Sequence, residues 1–95
     1  MAYVLIEHRV GDFETFRKVY LDDAGRRGRL GSRGGRVFRV AADPDNVIVM
    51  LEWDSVEHAR DFADSLELEQ AMEWSTSDVS TPRVTVLDMA LESPR

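Results

Sequence analysis

Apolar positions along the chain switch between a period of two and a period near 3.6. Residues 3–10 (YVLIEHRV) are β-branched and apolar, close on Gly11 and predict a first strand. Asp12 stands as the N-cap of a helix that carries Phe13, Phe16, Val19 and Tyr20 on one face and runs to about Ala24. Gly25, Gly28 and Gly31, set among arginines, blur the end of that helix. Residues 36–42 read as a second strand, Asp43-Pro44-Asp45-Asn46 as a tight turn and 47–53 (VIVMLEW) as a third strand. Asp54 or Ser55 caps a second helix, with Asp54 and Glu57 at capping-box spacing and Val56, Ala59, Phe62, Ala63 and Leu66 along one face. A weaker amphipathic piece with Leu68, Ala71 and Met72 inward, a polar loop at 75–81 and a last strand at 83–91 complete the chain.

The order β-α-β-β-α-β is the split βαβ, or ferredoxin-like, arrangement of the α+β class. It predicts one domain over residues 1–95, core about 3–91, with a four-stranded antiparallel sheet and its helices on one face. Strand three puts Val47, Val49, Leu51 and Trp53 on one side and Ile48 and Met50 on the other. Strand one divides Val4, Ile6 and Val10 from Tyr3 and Leu5 in the same way. Two helices cover one sheet face, so the second apolar face needs another cover. A second copy of the chain, sheet to sheet about a two-fold axis, is the simplest one, and a homodimer is expected.

Composition narrows the function classes. The 95 residues contain no cysteine, which removes disulfides, thiolate metal sites and Cys nucleophiles. Met1–Ile6 lacks the basic lead-in of a signal peptide and no apolar run reaches the ~20 residues of a membrane span, so a cytoplasmic protein without membrane contact is expected. The net charge of −6 argues against nucleic acid as a partner. It hides a division: residues 1–42 carry nine basic and five acidic side chains, and residues 43–95 carry three and thirteen.

Asp12-Phe13-x-Thr15-Phe16 at the first helix, the Asp43-Pro44 turn and the Glu52-Trp53-Asp54-Ser55 exit of the third strand resemble the dimeric α+β barrel proteins grouped as antibiotic biosynthesis monooxygenase-like domains. The resemblance spans roughly residues 3–90 and implies a pocket between sheet and helices in each subunit. That grouping holds cofactor-independent quinone-forming monooxygenases, haem-degrading enzymes, isomerases, polyketide cyclases and small proteins of no known activity, so fold leaves function open. The haem-degrading branch uses an Asn, a Trp and a His where this chain has His8, Phe62 and Met72. Without an imidazole at Met72 to ligate iron, the resemblance implies neither haem nor any other cofactor. The quinone-forming branch needs no metal or flavin, because its electron-rich substrate itself reduces oxygen.

His8 shares a strand face with Val4 and Ile6 and is the candidate catalytic base, able to take a proton from a phenol or an enolisable carbon. The competing reading is a structural strand-end histidine. His58, beside Glu57 and Asp61 and off the apolar stripe, reads as solvent-exposed, and no spacing of His and carboxylates suggests a metal site. Phe13, Phe16, Tyr20, Phe62, Met72 and Trp74 are candidate substrate-binding residues, with plain core packing as the alternative for the helical aromatics. Arg26, Arg27, Arg29, Arg33, Arg36 and Arg39 read either as an anion-recognising group or as a solvated helix-to-strand connection. The expected activity is cofactor-independent oxygenation of an aromatic or polyketide-like metabolite. A cyclase or isomerase that transfers protons without oxygen, and a non-catalytic small-molecule-binding dimer, are the alternatives.

Overall fold

The computed structural model describes residues 1–73 and 83–94, with side chains over 1–65 and 83–94. Strands β1 (Ala2–Arg9), β2 (Ser32–Val40), β3 (Asp43–Trp53) and β4 (Arg83–Asp88) form one antiparallel sheet in the order β2-β3-β1-β4. Helices α1 (Phe13–Asp22) and α2 (Ala24–Leu30) join β1 to β2, and α3 (Val56–Glu73) follows β3. This is the expected ferredoxin-like α+β arrangement, with the first connection broken into two helices.

The alternation of β1 and β3 decides what the helices cover. Ala2, Val4, Ile6 and His8 lie opposite Trp53, Leu51, Val49 and Val47, and all eight are buried. Phe16 of α1 and Ala59 and Phe62 of α3 close over this face and complete the core. The opposite face carries Tyr3, Leu5, Ile48, Met50 and Leu87, only half-buried, and Phe38, 48% exposed. Both faces are apolar, and the helices take one.

Local chemistry sets the helix ends. Asp12 caps α1 as expected, its Oδ1 accepting from the Glu14 amide at 3.2 Å and its Oδ2 from the Thr15 hydroxyl at 2.7 Å. Ser55 caps α3, its Oγ accepting from the His58 amide at 3.1 Å. Asp54 is instead bound to the His58 ring, which dissolves the predicted capping box.

Three predicted elements are corrected. The β2–β3 turn is Ala41-Ala42, since Val40 pairs with Asp43, and Pro44 lies inside β3 beside a register shift. An irregular register tolerates a residue with no amide hydrogen, and the Pro44 carbonyl accepts from Arg39 Nε at 3.0 Å. The arginine-rich stretch after α1 is itself structured: Arg26, Arg27 and Arg29 lie in α2, and Arg33, Arg36 and Arg39 lie in β2. Arg27 holds α2 against α1: 5% exposed, it donates to Asp23 Oδ2 at 3.3 Å and to the Tyr20 carbonyl at 2.9 Å. β4 ends at Asp88, three residues short of the predicted strand. The predicted polar loop at 75–81 falls outside the described residues.

Candidate functional site

His8 sits on the helix-facing side of the sheet, between Ile6 and Val10 along the chain and opposite Val47 of β3. It is 3% exposed, and desolvation pushes its pKa below the usual 6.5. Burial disfavours the imidazolium, so near neutral pH the ring is uncharged and suited to accept a proton.

On α1, Phe13, Phe16 and Tyr20 follow one another at helical spacing, so their rings form a row. Ring centroids are 6.1 Å apart from Phe13 to Phe16 and 6.0 Å from Phe16 to Tyr20. A guanidinium closes each end: Arg39 lies 4.3 Å from the Phe13 centroid and Arg27 lies 4.2 Å from that of Tyr20. The row, with Arg17, Leu21 and Val37, lines an apolar cleft of about 250 Å³ between α1 and β2. Gly35 permits this approach, since a Cβ there would stand 2.8 Å from the Tyr20 hydroxyl and 2.7 Å from Leu51 Cδ2.

The structure therefore gathers three of the candidate substrate-binding residues, Phe13, Phe16 and Tyr20, into one cleft. His8 lies in the core layer and is not among that cleft's lining residues. Phe62 belongs elsewhere: it packs on Trp53, ring centroids 4.9 Å apart, and lines a second cleft between α2 and α3. The side chain of Met72 and the whole of Trp74 lie outside the described residues. Arg17 and Val37 are lining residues that sequence reasoning missed, and Arg39 enters through its place over the Phe13 ring. Val37 and Arg39 share one face of β2, a signal that becomes useful only once the pairing Val37↔Val49 and Arg39↔Val47 shows which way they point.

His58 is exposed as predicted, its side chain 52% accessible. It is not isolated: its Nδ1 lies 2.7 Å from Asp54 Oδ1. The carboxylate raises the His58 pKa above 6.5, and the imidazole in turn lowers that of Asp54. Gly31, at φ +117°, makes room for the pair, because a Cβ there would come within 2.8 Å of Asp54 Oδ1 and 2.9 Å of His58 Nδ1. Gly31→Ala is expected to cost about 1–3 kcal/mol through the backbone conformation alone. Thermal unfolding measures that loss, and the NMR pH titration of His58 should shift back toward 6.5 as Asp54 is displaced.

The described residues hold no group of three or more His, Cys, Asp or Glu arranged to bind a metal. No helix among them is long and apolar enough to cross a membrane.

No family model and no curated protein matches the sequence. Among solved structures, the chain is similar to the crystal structure of a candidate antibiotic biosynthesis monooxygenase from Deinococcus radiodurans. The two superpose with a TM-score of 0.67 over 98% of this chain and 96% of that one, at 10% sequence identity. The chain thus has the fold of that protein over nearly its whole length, and the fold expected from the sequence is the fold observed.

Proposed function

We propose that the chain is a small-molecule enzyme that oxygenates an aromatic or polyketide-like metabolite without a bound cofactor, with His8 as the base. The observation that supports this reading is the buried, neutral imidazole on the helix-facing side of the sheet. The fold shared with a candidate monooxygenase is consistent with it. For an anthrone-type substrate, His8 removes a proton from the activated CH₂ and leaves an electron-rich carbanion that reduces dioxygen. One oxygen atom ends as the new carbonyl and the other leaves as water with both hydrogens of the CH₂, so the substrate supplies all the electrons. Uptake of one O₂ per quinone formed by metal- and flavin-free protein is the expected result, followed with an oxygen electrode. Conversion that proceeds equally under nitrogen would replace this reading with a cyclase or isomerase. Melting shifts without turnover would replace it with a binding protein.

The working unit is a homodimer joined through the outer sheet face. Tyr3, Leu5, Ile48, Met50 and Phe38 form an apolar surface on the side away from the helix-covered core. Met50, paired with Leu5 on β1 and Arg36 on β2, stands near its centre. Met50→Asp would bury a carboxylate against a second copy, so it is expected to convert a dimer into a folded monomer by light scattering. A wild-type protein that is already monomeric at micromolar concentration would refute the assembly.

A further inference from the structure

We propose that the cleft between α2 and α3 is a second small-molecule site, remote from His8, that binds a small monocarboxylate through Arg29 and His58.

The cleft holds about 550 Å³, within the range of roughly 300–1,000 Å³ usual for small-molecule sites. It lies at the other end of the sheet from the candidate base. His8 pairs with Val47, whereas the cleft begins at Asp54, just beyond the end of β3 at Trp53, roughly 20 Å further along the strand at ~3.3 Å per residue.

Three features make it a built site. Gly31 turns the chain with φ +117° and, having no Cβ, seats the Asp54–His58 pair against the backbone. Asp54 holds His58 through Nδ1, which fixes the ring and leaves Nε2 as the nitrogen free to meet a ligand. Phe62, only 4% exposed, gives the cleft an apolar floor, and Ser65 adds a hydroxyl.

The charges of the lining select the ligand. Among the described residues its cations are Arg26, Arg29 and, when protonated, His58, and its anions are Asp54 and Asp61. Arg26 is already bound to Asp23 at 2.8 Å, and Asp54 to His58. Arg29 and Asp61 form no ion pair among the described residues. Arg29 is thus a lining guanidinium that meets no carboxylate among the described residues, and a ligand carboxylate can pair with it. A guanidinium presents paired donors that match the two carboxylate oxygens. A phosphate dianion would place its second charge beside Asp54 and Asp61. Binding should also weaken as pH rises and His58 loses its proton. The charged groups around that ring are Asp54, Glu57 and Asp61 from its own segment and Arg26 and Arg29 from α2.

The test is an NMR titration of the full chain with sodium lactate at constant ionic strength, and a parallel one with inorganic phosphate. Saturable amide shifts at Gly31, His58 and Ser65 are expected with lactate, stronger at pH 6 than at pH 8.5. Arg29→Ala and His58→Gln, both at exposed positions, should each weaken lactate binding about tenfold. Asp61→Asn should narrow the preference for lactate over phosphate. Shifts that grow linearly without saturation would overturn the site. So would lactate binding unchanged in both variants, or phosphate binding as tight as lactate in the unmodified protein.

Discussion

Trp53→Ala is expected to remove about 3–5 kcal/mol of folding stability, the largest loss from any single truncation in this chain. Trp53 is fully buried at the end of β3, where it lies opposite Ala2 of β1 and Ser32 of β2 and its ring meets Phe62 of α3. Its removal would open a void where three strands and a helix converge. The small neighbour Ala2 cannot fill that void. A domain of this size has only about 5–15 kcal/mol in total, so the variant should be partly unfolded in mild denaturant. Trp53→Phe gives the contrasting result. The indole Nε1 is buried and finds no acceptor among the described residues, so part of the gain from burying the ring is offset by a desolvated donor. Phenylalanine gives up some area but relieves that donor, and its cost should stay near 1 kcal/mol. Equilibrium denaturation of both variants checks this. If Phe proves as damaging as Ala, the indole N–H is bonded after all.

The pattern that buries Trp53 was legible in the sequence because β1 and β3 alternate strictly. With Val4, Ile6 and His8 in phase, and Val47, Val49, Leu51 and Trp53 in phase, a slip of one residue would turn one set out of the core. The β2–β3 turn was not legible. Pro44 and Asp45 carry the stronger local turn signal, yet the pairing of Val40 with Asp43 places the turn at two alanines. Sheet pairing there outweighs turn propensity. α2 shows the same override in a helix. Gly25 and Gly28 weaken helical preference, but Arg27 binds Asp23 and the Tyr20 carbonyl and stacks on the Tyr20 ring. A contact between elements thus stabilises what the local sequence disfavours. The aromatic row could be read from one helix face. Arg39 and the Asp54–His58 cleft depend on strand pairing and on where α2 lies, which no local window contains.

His8→Gln should lower turnover about 10²–10⁴-fold while leaving the protein folded, because general-base catalysis contributes on that scale and glutamine keeps a polar group of similar reach. The pH behaviour distinguishes a base from a packing residue. Burial lowers the folded-state pKa of His8 below 6.5, so the unfolded chain takes up its proton first as pH falls. The unfolded state then binds more protons than the folded one. Stability that is fully present above about pH 6.5 therefore declines as pH falls toward the folded pKa. His8→Gln should lose this component of the acid sensitivity, the remainder coming from carboxylates at lower pH. Turnover in the wild type should stay flat through neutral pH and fall only below the lowered pKa, once the imidazole is protonated and cannot accept a proton. A rate in His8→Gln within severalfold of wild type, together with a loss of the acid-linked instability, would show that His8 shapes the core and that the proton is taken by another group.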